Sequence, residues 1–435
     1  MADDEQPIWV PYMRLAVGLA LSAGFGFGGF LFAAGALGLP IGAWWAATAQ
    51  AHGHIQLFGW VGLPVCGIGW HFLPRLRGAP HADPHRAMLA LGLLALGQLG
   101  RVLAQPALAA GIATAATWRL MLLGSGALEL AGATIVLAAV ARLPRQGPAL
   151  AMREGFRAIW PLVLTAFSFC WLVLALNLAG LVELGLSGAT LVAAPLDRAT
   201  IDLTLYGFLL PMAVAMSARL SPLYFRTPPV DPRALRAGLA LTGTGLALRL
   251  GGDSGHHVTV AGFGRLLQAG GLVLFVLALG IFARRRPSPR AVRRLATDPA
   301  HLHTLTAYAW FLLGTALVGW QGLALLAPGL PAPPDGERHA FGAGYLTLLI
   351  LGIGVRLLPG FARRPLRHEG YCWATLVLAN GAALLRVGLP LLTTGALAPL
   401  ASVALAVSGL CGMAAVGLFA FNLAGNTRRT TVAGE

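Results

Sequence analysis

The chain has 435 residues, of which 57% are hydrophobic and 11% charged, and its mean hydropathy is +0.73. This composition excludes an ordinary soluble globular protein and is typical of a polytopic membrane protein. The formal net charge is +15, but all 31 basic residues are arginines, mostly in short segments between apolar runs, so the charge indicates membrane orientation and argues against nucleic-acid binding.

Twelve apolar segments reach the length of roughly 20 residues that a helix needs to cross a bilayer. The predicted spans are 13–37, 54–73, 87–105, 119–141, 157–180, 200–218, 234–250, 263–282, 303–327, 339–358, 371–393 and 397–421. Arginines are frequent after the even-numbered spans and rare after the odd-numbered ones, which predicts that both termini are cytoplasmic. The polar residues then predicted to lie toward the outer face are His52, His54, Asp202, His256, His257 and His339.

The four cysteines, Cys66, Cys170, Cys372 and Cys411, occur singly within or beside apolar segments. Without paired spacing, they are expected to be small buried thiols that form neither a disulfide nor a zinc site. Residues 1–5 are acidic and the first apolar run has the length of a permanent span, so no cleavable signal peptide is expected.

Three similar stretches follow spans two, six and ten: WHFLPRLRGAP, ARLSPLYFRTPP and VRLLPGFARRP. Each contains a basic residue three positions before a proline, namely His71, Arg219 or Arg356. Two further sets lie at constant offsets from these anchors: His54, Asp202 and His339, 17 residues earlier, and Arg101, Arg249 and Arg386, 30 residues later. The shared offsets predict internal repeats, although similar Leu-, Ala- and Gly-rich helices can align without common origin.

The predicted repeats contain four helices each, cover residues 8–145, 155–286 and 300–425, and form a single membrane domain over 1–435. A pseudo-threefold axis would relate His54, Asp202 and His339. Twelve helices in three arcs, with histidines near the outer ends of spans two and ten, resemble the catalytic subunit of the haem-copper oxidases. The fold class predicted is therefore an all-α integral membrane protein, haem-copper-oxidase-like.

The stretch HGHIQLFGW, residues 52–60, resembles the His-x-His-x-x-x-Phe-Gly-aromatic signature of the NnrS family. SARLSPLYF and HAFGAGYLTLLILGIGVRLLPGF resemble two further motifs of that family. The chain departs from the family pattern at Ile55, where a glutamate is expected, and at Phe361, where a Gly-His-Thr-Gly-Arg turn is expected. The resemblance implies a bacterial inner-membrane protein of nitric oxide resistance that carries b-type haem and copper.

His52 and His54 would point roughly 200° apart on a regular helix, so they serve different neighbours. His54 and His339, which the repeat makes equivalent, are predicted to be the axial imidazoles of the haem, and His52 to face a second cofactor or substrate pocket. The alternative is interfacial histidines bonded to carbonyls or headgroups. Arg101 and Arg386 are predicted partners of the haem propionates, with simple membrane anchoring as their alternative.

His256 and His257 lie in the predicted outer segment GGDSGHHVTVAGFG. Because the oxidases bind copper with a His-His pair, the resemblance makes these two, with His52 or Asp202, a candidate copper site; a solvated loop is the alternative. Glu129, in the middle of span four, is predicted either to relay protons or to be a neutral acid bonded to a neighbouring helix.

His301 and His303 follow an arginine-rich segment and are expected to face lipid headgroups. The leading hypothesis for function is a haem-binding, copper-binding membrane protein acting on nitric oxide, in the manner of an oxidoreductase. Its expected partners are membrane lipid, nitric oxide or a similar gaseous ligand, and an electron donor. The alternatives are a secondary transporter built from repeats and a b-type cytochrome that only transfers electrons.

Overall fold

The computed structural model describes residues 7–149, 154–286, 297–327, 329–333, 336–362, 365–392 and 398–424. All regular secondary structure in these residues is helical. Among the helices of these described residues, eleven are long and apolar enough to cross a membrane, so the chain is a multi-pass membrane protein, as the composition predicted.

Numbered in chain order, the first six helices are α1 Trp9–Ala36, α2 Ala43–Arg77, α3 Pro84–Ala109, α4 Ala115–Arg145, α5 Glu154–Ser187 and α6 Ala194–Tyr224. The next six are α7 Pro232–Ser254, α8 Val258–Leu279, α9 Pro299–Leu326, α10 Glu337–Gly360, α11 Gly370–Gly388 and α12 Ala398–Leu423. Of these twelve helices, α7 is not among the eleven that are apolar enough to span a membrane. Its glycines, threonines and arginines lower its mean hydropathy. The seventh predicted span, 234–250, and with it the total of twelve, therefore stays a prediction.

Three of these helices begin with an aspartate followed by a proline. The side chains of Asp83, Asp231 and Asp298 accept hydrogen bonds from backbone N–H groups of the first turns of α3, α7 and α9, at 3.0, 2.8 and 3.0 Å. Aspartate satisfies N–H groups that have no partner within the helix, and proline at the first position needs no such bond. These starts are therefore fixed by local sequence.

Helices α2, α6 and α10 form the centre of the molecule. Between 72% and 78% of the residues in their apolar windows are buried, against 33–50% in the other spans. Around them lies a ring of outer helices, in which α4 packs against α5, α8 against α9 and α12 against α1. Large apolar side chains remain exposed on this ring, among them Leu103, Leu120, Leu277, Val377 and Leu410. Such a surface is what a bilayer covers.

Each central helix contains a π-helical stretch, in which the turns are wider than in an α-helix. The stretches Ile55–Gly62, Leu203–Leu209 and Ala340–Leu346 begin directly after His54, Asp202 and His339. Two shorter stretches are Ala20–Gly24 in α1 and Leu384–Gly388 in α11. The three positions that shared one offset in the sequence therefore also share a local backbone geometry.

The predicted start of span two is wrong by eleven residues, because α2 begins at Ala43. Residues 43–53 are less apolar than the run that follows, yet they continue the helix and pack against α1 and α3. His52 and His54 consequently lie inside the helix and not at its mouth. The predicted burial of the cysteines is confirmed for Cys66, Cys170 and Cys372, while Cys411 is partly exposed.

Candidate functional site

His52 is oriented by a backbone carbonyl of α1. Its Nδ1 lies 2.8 Å from the carbonyl oxygen of Gly24, the last residue of the π-helical stretch in α1. Since a carbonyl oxygen only accepts, Nδ1 carries the proton and donates, which leaves Nε2 of the neutral ring with a lone pair. A Cβ atom on Gly28 would lie 2.9 Å from Cε1 of His52. A glycine at position 28 therefore leaves the room that this ring needs.

A cavity of about 270 Å³ lies beside His52, between α1, α2, α10, α11 and α12. Four basic side chains line it, those of His52, His339, Arg338 and Arg386, and we refer to it as the histidine cavity. Most of the remaining wall is apolar and includes Phe25, Phe32, Trp45 and Trp60. A largely apolar cavity with a few convergent polar groups is the usual form of a ligand site.

The two arginines of the histidine cavity are held by neighbours on other helices. The guanidinium of Arg386 lies 4.3 Å from the centre of the Phe32 ring, a cation–π contact. Arg338 donates to Oδ1 of Asp202 at 3.1 Å. The cavity thus presents two imidazoles and two cations from three different helices.

His54 lies on the side of α2 opposite to His52, as their separation by two residues predicted. Its Nε2 is 2.8 Å from Oε2 of Glu129 on α4, and both side chains are buried. A side chain at Gly97 on α3 would collide with Glu129. The bond to a neighbouring helix, which one hypothesis for Glu129 required, is present, whereas a proton relay stays a prediction.

A small polar cavity of about 20 Å³ adjoins His54 and includes Arg101, Asn177 and Asp197. Arg101 is 2% exposed and donates to Gln105 Oε1 at 2.5 Å and to Asn177 Oδ1 at 3.0 Å. His54 and Arg101 therefore lie together in a cavity of their own, and Leu57 and Ile201 line both this cavity and the histidine cavity. The structure does not bring either residue to His339.

Asp202 forms the third polar cluster, on the central helix α6. It binds Arg249 at 2.8 Å and Arg338 at 3.1 Å, and its own side chain is 4% exposed. The guanidinium of Arg249 also lies 5.5 Å from the centre of the Tyr206 ring. One carboxylate thus joins helices α6, α7 and α10.

The same pairing recurs in all three clusters. His54 shares a cavity with Arg101, Asp202 forms an ion pair with Arg249, and His339 shares a cavity with Arg386. In each case a residue just before a π-helical stretch of a central helix meets an arginine of the next helix in the chain. These are the residues that shared the two offsets in the sequence.

Comparison with known protein families identifies the family of this chain. The sequence model of the family described as NnrS, NnrS protein, matches residues 17–426 of this chain. The chain belongs to the NnrS family. No curated protein matches it.

In this member of the NnrS family, the predicted copper ligands are not brought together. His256 and His257 are exposed, in the turn between α7 and α8, and Asp202 is engaged by two arginines. Within the described part of the chain, no three His, Cys, Asp or Glu side chains are grouped so that they could hold a metal ion. Copper stays a prediction.

The expectation that His301 and His303 face lipid headgroups is wrong. They are 5% and 0% exposed. The Nε2 of His301 is 3.0 Å from Arg285 Nη2, and the Nδ1 of His303 donates to the carbonyl of Pro299 at 2.7 Å. Both side chains are buried because the first turns of α9 pack against neighbouring helices.

Sequence reasoning missed Arg338 and the carbonyl of Gly24. Arg338 directly precedes His339, and this adjacency was the one signal that could have indicated it. Nothing in the sequence indicates the carbonyl, because its position follows from the π-helical stretch in α1. In the structure, His339 shares a cavity with His52, whereas the sequence predicted that its partner would be His54.

Proposed function

We propose that this NnrS protein binds a b-type haem in the histidine cavity and acts in nitric oxide resistance or metabolism. The observation that carries the proposal is that His52, His339 and Arg386 meet in one cavity whose wall is otherwise mainly apolar. Imidazole is a standard axial ligand of haem iron. The proposal keeps His339 and Arg386 from the sequence prediction and replaces His54 and Arg101 with His52 and Arg338.

The residues present fit a haem. His52 donates through Nδ1 to a carbonyl, which is the usual second contact of a metal-binding imidazole and directs Nε2 toward the metal. Arg386 and Arg338 match the propionates, because a guanidinium pairs with a carboxylate through two hydrogen bonds. The aromatic wall suits the porphyrin faces. When bound, the haem would supply an iron that exchanges electrons with a donor and that binds nitric oxide once one of the two imidazoles has left it.

We further propose twelve spans in three repeats of four, with α7 as the seventh span and a layout similar to that of the haem-copper oxidases. Three features support it: the packing of the last helix, α12, against the first, α1, the matched π-helical stretches and the three recurring pairs. In this proposal the protein lies in the bacterial inner membrane, with cytoplasmic termini and the histidine cavity toward the outer face.

The test is haem content after purification in detergent from cells supplied with haem. We expect a Soret band in the wild type, and most of it to be lost in His52→Gly and in His339→Gly. His54→Gly should retain haem, as should His85→Gly, a control at an exposed histidine. Added imidazole should restore the band in His52→Gly, which a merely unfolded variant would not show.

Haem retained in both His52→Gly and His339→Gly would refute the ligand assignment. A wild-type protein without a Soret band would refute haem binding and would favour the transporter among the alternatives. In the reduced protein, a spectral shift on adding nitric oxide is expected. Its absence would leave the electron-transfer cytochrome as the better account.

A further inference from the structure

A second cavity, of about 110 Å³, lies between the three central helices. We refer to it as the central cavity. Of its lining residues, Met13 of α1 is the one that does not belong to α2, α6 or α10. Representative lining residues from the central helices are Val61, Ile68, Ala213, Met216, Ile350 and Leu357.

The lining of the central cavity offers no partner to water. Every lining residue has an apolar side chain or, at Gly354, none at all. A buried water needs two to four polar partners, and an apolar cavity of about 150 Å³ in another protein stays dry and binds benzene or xenon. The central cavity is therefore suited to a small uncharged molecule, because such a molecule loses little hydration free energy on leaving water.

The central cavity adjoins the histidine cavity. Val61 lines both of them, so a single aliphatic side chain contributes to both walls. The neighbouring Trp60, which lines the histidine cavity, donates through its indole N–H to the hydroxyl of Thr347 at 3.1 Å. This bond fixes the bulky indole and leaves Val61 as the smaller residue at the boundary.

We propose that the central cavity binds an uncharged diatomic gas and holds it beside the histidine cavity. A gas is favoured over a lipid chain because the three helices that line the cavity are the most buried ones, and the other spans surround them. Binding involves only dispersion contacts, so no bond forms or breaks. The gas-binding site itself is independent of haem, whereas a role in delivering nitric oxide rests on the proposed function.

Xenon is the probe for the site, in crystals of the full-length protein pressurised with the gas. We expect xenon between α2, α6 and α10 in the wild type. Ala213→Leu adds three carbon atoms at the wall of the cavity and should abolish xenon binding there. Ala131→Leu is the matched control, because Ala131 is exposed on α4, and xenon should persist in it.

An empty cavity in pressurised wild-type crystals would overturn the proposal, as would an acyl chain or ordered water in its place. In the haem-loaded protein, nitric oxide should associate severalfold more slowly with Ala213→Leu than with Ala131→Leu, at equal haem content. Equal rates would refute the delivery role. If no haem is bound, the xenon experiment still tests whether the central cavity binds a gas. Failure of the haem proposal can therefore be distinguished from failure of the gas-site proposal.

Discussion

His52 and His54 are both histidines, two residues apart on the same helix, and yet their rings have different chemistry. The ring of His52 is fixed through Nδ1 by a carbonyl, which leaves Nε2 beside the histidine cavity, whereas Nε2 of His54 is engaged by Glu129. A helix rotates by about 100° per residue, so the two rings meet different neighbours. The neighbour, and not the histidine itself, decides which ring is available to a ligand.

The bond between His54 and Glu129 predicts an effect on stability. Glu129→Ala removes the partner of a buried imidazole and should lower the free energy of unfolding by about 1–3 kcal/mol. Glu129→Gln keeps an oxygen at the same place and should lower it less. The measurement is the thermal unfolding midpoint in detergent. Glu183→Ala, at an exposed carboxylate, is the control and should be close to neutral.

Haem content offers a second readout for the same variants. Because Glu129 does not line the histidine cavity, both Glu129 variants should bind as much haem per folded protein as the wild type. A midpoint that is unchanged in Glu129→Ala would contradict the stabilising role of the bond. A specific loss of haem without loss of stability would place Glu129 in the haem site instead.

At the residue scale, the sequence predicted positions better than partners. The offsets identified His54, His339 and Arg386, and the structure places His54 in a cavity with Arg101 and His339 in one with Arg386. They could not identify the histidine that accompanies His339, because that depends on the rotation of α2 relative to α1 and α10. A rotation of this kind is set by tertiary packing, which leaves no mark on residue spacing.

Asp202 joins three helices, and its removal should be costly. Asp202→Ala leaves the guanidiniums of Arg249 and Arg338 without their carboxylate. Breaking a buried ion pair in this way destabilises a protein by about 3–5 kcal/mol. We expect a loss of that order in the free energy of unfolding, measured by denaturant titration in mixed micelles, and a smaller loss in Asp202→Asn.

Arg86→Ala is the matched control, since Arg86 pairs with Asp83 on the surface at 3.3 Å and both side chains are largely exposed, and this change leaves the Asp83 cap of α3 in place. Exposed pairs contribute about 0–1 kcal/mol. Equal losses in the Arg86 and Asp202 variants would refute the role assigned to the buried cluster.

At the element scale, all twelve predicted segments overlap helices, because long apolar runs are a strong signal. The start of α2 was missed since residues 43–53 contain Thr48, Gln50 and His52 and are not continuously apolar. The π-helical stretches could not be predicted either. Their residues, such as Ile55–Gly62, have the same composition as the α-helical residues beside them.

In the outer ring, α1 and α12 approach each other closely at two glycines. A Cβ atom on Gly409 would lie 2.5 Å from Cα of Gly29. Gly409→Ala should therefore separate the two helices and lower the free energy of unfolding by about 1–3 kcal/mol, which is typical of overpacking. The measurement is the thermal unfolding midpoint of the purified protein.

Gly417→Ala, also on α12, is the control for this prediction. The nearest atom that its Cβ would meet is Cδ2 of Leu21, at 4.0 Å, an ordinary contact. Alanine favours a helix over glycine by about 1 kcal/mol, so this variant should be neutral or slightly more stable. A Gly409 variant as stable as the Gly417 variant would show that the ring does not depend on this contact.

The π-helical stretches of the central helices also bear on tolerance to insertion and deletion. Each one separates the half of its helix that carries His54, Asp202 or His339 from the half that lines the central cavity. Removing a single residue from one stretch would turn one half relative to the other by about 100°. A surface loop absorbs the gain or loss of one residue. In a π-helical stretch, the same change would move a whole polar cluster, although the amino-acid composition would be almost unchanged.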